Sequence, residues 1–203
     1  GTYVNQTGQI GPHQCPPGTY QPENGKTACI SAEPGHMPIF ENGWATSQLP
    51  CPSGSYQPAS GQIMCLQTDV GHFTNQNGTL NQIPCPSGTY QSDTGMSNCN
   101  EADAGYYIED EGQSNQSRCL AGTYQPMPGQ DYCYSAEIGH YVSPSLVEGV
   151  LVNLNQSECS EGTYQSLSKQ SSCLDANPGY FVEQTGQSHQ TFCSKGTYSS
   201  VTG

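Results

Sequence analysis

Large apolar side chains are scarce in this 203-residue chain. Isoleucine, leucine, valine and phenylalanine together contribute only 28 residues, less than the roughly one-fifth of a chain that separates folded from disordered sequences. A formal net charge of −13 adds self-repulsion. These properties exclude an ordinary hydrophobic core, because too little apolar surface is present to offset the conformational entropy lost on folding.

Positive charge is almost absent. Only four basic residues occur, namely Lys26, Arg118, Lys169 and Lys195. Nucleic acids and anionic membranes bind proteins through clustered Lys and Arg side chains, so we expect neither as a partner. The sequence also lacks an uninterrupted apolar run of about 20 residues, the length that spans a bilayer. We therefore expect no membrane contact within this segment.

Catalytic signatures are missing as well. The sequence contains no Gly-x-Ser-x-Gly elbow, His-Glu-x-x-His pair, phosphate loop or Gly-x-Gly-x-x-Gly turn. Single acidic residues recur at Glu33, Asp69, Asp103 and Glu137. A calcium loop gathers several carboxylates, so capping of a turn explains this pattern better. We predict no enzymatic activity, no metal site and no cofactor.

The 11 cysteines follow a regular spacing. The interval from the first cysteine to the second recurs unchanged at every second step, whereas the intervals between these pairs differ in length. A covalently closed loop tolerates insertions less readily than the connection between two loops, so the constant interval predicts the pairing. The predicted disulfides are Cys15–Cys29, Cys51–Cys65, Cys85–Cys99, Cys119–Cys133 and Cys159–Cys173. Disulfides require an oxidising compartment, so we expect an extracellular or cell-surface (secreted) protein.

Cys193 remains without a partner in this scheme. The same constant interval, counted from Cys193, ends beyond the last residue. We expect its partner in a continuation of the chain. Because the sequence also begins without an initiator Met or an apolar leader, we interpret it as a mature piece of a longer protein.

Internal repeats dominate the sequence. A glycine stands three residues after the first cysteine of each pair and is followed by Thr or Ser and then Tyr, and a second glycine usually follows seven residues later. This pattern predicts two short strands joined by a glycine-containing turn. The second half of each repeat echoes the first, so each repeat contains two small hairpins. The predicted divisions are 1–14 (partial repeat), 15–50, 51–84, 85–118, 119–158, 159–192 and 193–203 (partial repeat).

The fold predicted from these features is small and disulfide-rich, mostly β or irregular. We expect an elongated tandem array of short β-hairpin modules with a period of about 34 residues. We also expect one aromatic ring, packed against a disulfide, to form the hydrophobic centre of each repeat. Each bridge contributes about 3 kcal/mol by the chain-entropy argument, so the cross-links replace the missing core.

Three segments resemble a known family. CPPGTYQPENGKTAC, CPSGSYQPASGQIMC and CPSGTYQSDTGMSNC are similar to the Cys-Pro-x-Gly-x-Tyr modules of tumour-necrosis-factor receptors and ephrin-receptor-like cysteine-rich repeats. The resemblance extends over essentially the full chain and implies the same pairing of each first cysteine with the next one along the module. Similar repeats occur in long extracellular surface and filament (mastigoneme-like) proteins, which implies a structural role. The family's close Cys-x-x-Cys pair is absent from this sequence.

Four Asn-x-Ser/Thr sequons occur in the chain. All lie in the longer, variable half of a repeat, as expected for exposed loops that carry N-linked glycans. The predicted acceptors are Asn5, Asn77, Asn115 and Asn155.

Two insertions interrupt the repeats, and large apolar residues are concentrated in them. One reading is that each insertion covers the exposed edge of its own repeat. The other is that it docks onto a neighbouring chain, because contiguous exposed apolar surface marks an interface. The interface candidates are Met37, Ile39, Phe40 and Trp44 in the first insertion and Leu146, Val147, Val150, Leu151, Val152 and Leu154 in the second.

The sequence therefore favours a non-enzymatic extracellular repeat protein, as a glycosylated filament or cell-surface stalk subunit. The expected partners are further copies of the chain in a fibre or neighbouring surface proteins. The alternative is a receptor or adhesion ectodomain that binds a protein or glycan ligand.

Overall fold

The computed structural model describes residues 1–4, 7 and 11–198. This part of the chain contains strands, turns and bends and no helix. None of its elements is a helix of the length and apolar character needed to cross a membrane. The prediction of a disulfide-rich fold that is mostly β or irregular is confirmed.

The described residues form 24 strands, most of them two residues long. In chain order they are β1 (Thr2–Tyr3), β2 (His13–Gln14), β3 (Thr19–Tyr20), β4 (Ile30–Ser31), β5 (His36–Glu41), β6 (Trp44–Pro50), β7 (Ser55–Tyr56), β8 (Leu66–Gln67), β9 (His72–Phe73), β10 (Ile83–Pro84), β11 (Thr89–Tyr90), β12 (Asn100–Glu101), β13 (Tyr106–Tyr107), β14 (Ser117–Arg118), β15 (Thr123–Tyr124), β16 (Tyr134–Ser135), β17 (His140–Tyr141), β18 (Ser145–Val147), β19 (Val150–Val152), β20 (Ser157–Glu158), β21 (Thr163–Tyr164), β22 (Leu174–Asp175), β23 (Tyr180–Phe181) and β24 (Thr191–Phe192).

Each described strand belongs to a two-stranded sheet. Consecutive strands pair as antiparallel hairpins, as in β7 and β8, where Ser55 faces Gln67 and Tyr56 faces Leu66. The exception is the pair formed by β17 and β20, because the hairpin of β18 and β19 is inserted between them. Strands of two residues bury little surface, so each hairpin needs its neighbours for stability.

The chain divides into two compact units. The first comprises Gly1–Pro86, Tyr90–Asn100 and Glu111–Asn115, and the second comprises Ser87–Thr89, Glu101–Asp110 and Gln116–Gly203. Within each unit the same set of backbone hydrogen bonds recurs from one hairpin to the next.

Every described hairpin except the inserted pair of β18 and β19 starts at a glycine, which we call the opening glycine, one residue before its first strand. Opening glycines are evenly spaced along the chain, as at Gly54, Gly71 and Gly88, except where the two insertions lengthen the spacing. The opening glycine accepts a backbone hydrogen bond from the residue that follows the second strand, as in Cys85 N to Gly71 O (2.8 Å). It also donates its own N–H to the next hairpin, as in Gly71 N to Gln91 O (2.7 Å).

Opening glycines also approach the hairpin after next. A methyl group placed on Gly71 would overlap the carbonyl oxygen of Gly112, and the Gly112 N–H donates to Cys85 O (2.8 Å). No side chain larger than hydrogen fits at this contact. Equivalent contacts join Gly18 with Gly61, Gly35 with Gly78 and Gly54 with Gly95 in the first unit, and Gly88 with Gly129, Gly122 with Lys169 and Gly139 with Gly186 in the second.

Disulfides join the same five pairs that the constant interval predicted. They link Cys15–Cys29, Cys51–Cys65, Cys85–Cys99, Cys119–Cys133 and Cys159–Cys173, with Cα–Cα distances of 5.7 or 5.8 Å. This separation is the ordinary one for an unstrained bridge. Each bridge closes one hairpin and the intervening hairpin has none, so the covalent repeat is two hairpins long.

Four of the described hairpins without a disulfide are closed by a pair of side chains instead. In one of them Gln82 accepts the Asp69 backbone N–H at its Oε1 (2.7 Å) and donates Nε2–H to the Asp69 carboxylate (2.7 Å). Relative to the opening glycine, this glutamine occupies the position that the second cysteine occupies in a bridged hairpin. The same two bonds join Gln48 with Glu33, Gln116 with Asp103 and Gln156 with Glu137. Sequence analysis interpreted these recurring acidic residues as caps of turns. In the structure each of them is hydrogen-bonded to a glutamine.

The expectation of an aromatic ring at the centre of each repeat was wrong. The tyrosines of the first strands, such as Tyr56 and Tyr90, are only half-buried. The buried side chains are small, polar or aliphatic and include Ala32, Thr68, Gln125 and Val142. A two-residue strand cannot cover both faces of a large ring. The interior is therefore filled by smaller side chains and by polar side chains that hydrogen-bond to the backbone.

A buried glutamine lies at the centre of each bridged hairpin. Gln125 is 0% exposed, and it donates Nε2–H to Tyr132 O (2.9 Å) and accepts the Met127 N–H (3.1 Å). These bonds tie the first strand to the turn and to the residue before the second cysteine. The equivalent side chains are Gln21, Gln57, Gln91 and Gln165. Unbridged hairpins place Thr74, Ile108, Val142 or Val182 at this position.

We predict that Gly71→Ala destabilises the protein by about 1–3 kcal/mol more than Gly25→Ala, because only the first overpacks a contact. Both glycines have a φ of 74°, and the space around the Gly25 Cβ position is empty. The two variants therefore share the backbone strain and differ in the contact. Guanidinium unfolding under non-reducing conditions measures the difference. Equal losses for both variants would contradict the close approach.

We predict that Gln125→Ala lowers the free energy of unfolding by about 2–3 kcal/mol, because it removes a fully buried side chain together with its two partly buried hydrogen bonds to Tyr132 O and Met127 N. Gln130→Ala is the matched control, since its side chain makes one exposed bond, from Nε2–H to Pro128 O (3.1 Å). We expect that control to change stability by less than about 0.5 kcal/mol. If both variants unfold at the wild-type denaturant concentration, the glutamine centre is not stabilising.

Candidate functional site

The second insertion forms a hairpin of its own. Strands β18 and β19 pair with Leu146 opposite Leu151 and Val147 opposite Val150. The turn between them consists of Glu148 and Gly149, with φ values of 48° and 82°. Two consecutive residues with positive φ are typical of a type I′ turn, whose twist matches that of a hairpin. The insertion therefore has a defined conformation and is not an irregular loop.

The exposed leucines of this hairpin lie on one face. Leu146 is 69% exposed and Leu151 is 55% exposed, and they face each other across the two strands. Val147 and Val150 lie on the opposite face and are 43% and 37% exposed. Because side chains alternate between faces along a strand, the hairpin presents apolar side chains on both sides.

Val152 has a different role from the exposed residues of the same hairpin. It is 6% exposed, and a methyl group added at Gly105 would lie 2.8 Å from its Cβ. The neighbouring Asn153 donates Nδ2–H to Leu120 O (3.1 Å) and is also buried. These two residues anchor the insertion to its own chain. The prediction that Val152 belongs to an interface was therefore wrong. Leu154, another predicted interface residue, is half-buried.

A shallow cavity of about 420 Å³ lies beside the valine face. Val147, Val150 and Val152 form its apolar side, and Asp103 and Glu148 place carboxylates at its margin. The lining of this cavity therefore combines an apolar side with two acidic side chains.

The first insertion lengthens an existing hairpin. Strands β5 and β6 are joined by Asn42 and Gly43, with φ values of 50° and 85°, which is again typical of a type I′ turn. Phe40 is 57% exposed and Trp44 is 38% exposed. The predicted interface residues Met37 and Ile39 are half-buried.

Sequence analysis missed two residues of the first insertion. Leu49 is 44% exposed on β6, and its position in the alternating pattern of that strand could have identified it. Ala45 is buried and accepts the backbone N–H of Gln21 at 3.0 Å. This bond anchors the insertion to the preceding hairpin, as Asn153 does in the second insertion.

Three of the four predicted glycosylation sites fall on described residues. Asn77, Asn115 and Asn155 are all exposed. The Asn77 Oδ1 accepts the Ser53 N–H (2.9 Å), which leaves its amide nitrogen directed away from this bond. Asn5 lies outside the described residues.

Metal-ligating and reactive groups are dispersed in the described part of the chain. No three His, Cys, Asp or Glu side chains there are grouped so that they could hold a metal ion. Cys193 is half-exposed and is the one described cysteine outside a disulfide. That the disulfide partner of Cys193 lies in a continuation of the chain stays a prediction.

No protein-family model and no curated protein matches this chain. The proposals below therefore rest on the contacts and exposures of its own residues.

Proposed function

We propose that this chain is a non-enzymatic structural repeat protein of the cell exterior, as a glycosylated subunit of a filament or a cell-surface stalk. The observation that carries the proposal is the repetition of the same backbone contacts between successive hairpins within each unit. Contacts of this kind join only near neighbours, so repeats can be added without changing the contacts already made. That property suits a protein whose task depends on length.

The covalent cross-links support the same proposal. All five disulfides enclose a loop of the same length, so tension on the chain can release only the segments between the bridges. The bridges also indicate an oxidising compartment. The constant cysteine separation supports kinship with ephrin-receptor-like and tumour-necrosis-factor-receptor-like repeats, which is part of this proposal.

The two insertions supply the surface through which such a subunit would contact its neighbours. Leu146 and Leu151 are exposed on one face of the second inserted hairpin, and Phe40 and Trp44 are exposed on the hairpin of the first insertion. Burial of a leucine or an aromatic ring at an interface is favourable by about 1.5–3 kcal/mol. We propose that copies of this chain associate through these hairpins into a fibre.

Association of the secreted protein tests this function. We expect electron microscopy and sedimentation velocity to show regular assemblies that grow with protein concentration. The double variant Leu146→Ser/Leu151→Ser should raise the concentration needed for assembly on the order of ten-fold or more, since loss of about 1.4 kcal/mol corresponds to a factor of ten. The matched control is Leu120→Ser/Leu167→Ser, because these leucines are 69% and 63% exposed outside the insertions.

Two outcomes would overturn the proposal. Equal effects of the insertion and control variants would show that the insertions do not mediate association. A protein that stays monodisperse at every concentration and binds one different surface protein would instead support the receptor or adhesion alternative.

Glycosylation gives an independent prediction. We expect at least two of Asn5, Asn77, Asn115 and Asn155 to be occupied when the protein is secreted from cells that attach N-linked glycans, since the described sites are exposed. Mass spectrometry before and after enzymatic deglycosylation checks this, because the enzyme converts an occupied asparagine to aspartate. Unmodified peptides at all four sites would remove the glycoprotein assignment without affecting the assembly test.

A further inference from the structure

Three tyrosines cluster on the hairpin formed by β15 and β16. Tyr124 faces Tyr134 across the two strands, with ring centroids 5.7 Å apart. Tyr132 and Tyr134 lie on the same side of the chain, with ring centroids 5.0 Å apart in an edge-to-face arrangement. The equivalent hairpins place Ile30, Leu66 or Leu174 opposite the first-strand tyrosine.

The hydroxyl groups of Tyr132 and Tyr134 are hydrogen-bonded to each other. Tyr132 Oη donates to Tyr134 Oη at 2.9 Å, and no other two tyrosine hydroxyls in the described residues are joined in this way. The side chains are 47% and 36% exposed, so both rings can be reached from solvent. Because the two hydroxyls are hydrogen-bonded, the ring carbons next to them also lie near one another.

We propose that Tyr132 and Tyr134 are a site of oxidative phenol coupling, which converts the pair into an intramolecular dityrosine. The co-substrate class is a peroxide, used by a one-electron oxidant such as a haem peroxidase. This inference concerns a covalent modification of one hairpin and does not depend on whether the protein forms a filament.

Two tyrosine side chains and one molecule of hydrogen peroxide give one dityrosine and two molecules of water. Each phenol loses one electron and its hydroxyl proton, which leaves two phenoxyl radicals. The radicals form one carbon–carbon bond between the ring positions beside the oxygens, and the hydrogen on each of these carbons moves to the oxygen of the same ring. The two electrons and two protons that were released reduce one molecule of hydrogen peroxide to two molecules of water.

The geometry favours this pair because coupling needs two phenols in contact at the same time. Positioning of two reacting groups raises the effective concentration of one at the other by orders of magnitude. In the dityrosine product the two hydroxyls flank the new bond, and the hydrogen bond already brings them together. The hydrogen bond to Tyr134 also raises the pKa of the Tyr132 phenol.

Tyr124 provides the competing geometry within the same cluster. Its ring lies farther from Tyr134 than the Tyr132 ring does, and the two hydroxyls are not bonded to each other. Burial, which leaves the Tyr124 hydroxyl less hydrated, raises its pKa, and nearby Glu137 adds to this effect. Coupling of Tyr124 with Tyr134 would cross-link two strands, so its product is distinguishable from that of the proposed pair.

The test exposes the folded, disulfide-bonded protein to hydrogen peroxide and a haem peroxidase at low protein concentration. We expect dityrosine fluorescence and a single peptide that contains both Tyr132 and Tyr134 and is two hydrogen atoms lighter. Tyr132→Phe and Tyr134→Phe should each lower the yield on the order of ten-fold or more, since each removes a positioned partner. Tyr164→Phe is the matched control, because it lies at the position equivalent to Tyr124 and faces Leu174.

The outcomes separate the proposal from its competitors. Loss of the product in Tyr124→Phe, with a cross-link mapped between Tyr124 and Tyr134, would overturn the assignment to Tyr132. An equal yield from the reduced and denatured chain would show that the folded geometry contributes nothing. Cross-links found only between molecules would also contradict the proposal. Each variant changes an exposed or half-buried hydroxyl, and an unchanged unfolding midpoint confirms that it is folded.

Discussion

The close approach of an opening glycine to the turn of the hairpin after next is the contact on which the rest of the structure depends. At Gly71 the approach brings two backbones together with no side chain between them, so the Gly112 N–H reaches Cys85 O. Backbone hydrogen bonds then provide the cohesion that apolar side chains provide in a larger domain. Because the backbone is the same whatever the side chains are, the remaining positions are free to be polar, which explains how a chain with so few aliphatic residues is ordered.

The closure of alternate hairpins shows two solutions to one structural problem. A bridged hairpin uses a disulfide and a buried glutamine, as in Cys119–Cys133 with Gln125. An unbridged hairpin uses an exposed Gln–acid pair, as in Gln116 with Asp103, and buries Ile108 where the other type has glutamine. The side-chain pair is screened by solvent and contributes less than a covalent bond. The disulfides consequently close alternate hairpins, and backbone hydrogen bonds connect each hairpin to the next within a unit.

Sequence patterns predicted the disulfides because a covalent loop fixes the interval between its cysteines. They did not predict the buried glutamines, since glutamine is ordinarily a surface residue and its burial depends on backbone groups that only the folded hairpin brings together. The prediction of an aromatic centre was wrong for a related reason, because a two-residue strand is too short to cover a ring. The turn of the first insertion could have been recognised, since Asn42-Gly43 is a strong hairpin signal, whereas Glu148-Gly149 in the second insertion is not.

The insertions are tolerated because each one keeps the backbone hydrogen bond that joins its hairpin to the preceding hairpin. In a regular hairpin Gln57 donates its N–H to Thr79 O (3.1 Å), whereas at the insertions Gln21 donates to Ala45 O (3.0 Å) and Gln125 donates to Asn153 O (3.0 Å). The additional residues therefore extend outward without breaking the sequence of bonds between hairpins. A surface feature such as the Leu146 and Leu151 face can be gained or lost in this way with little effect on the repeats. The array thus separates stability, which the backbone contacts provide, from recognition, for which the inserted hairpins are available.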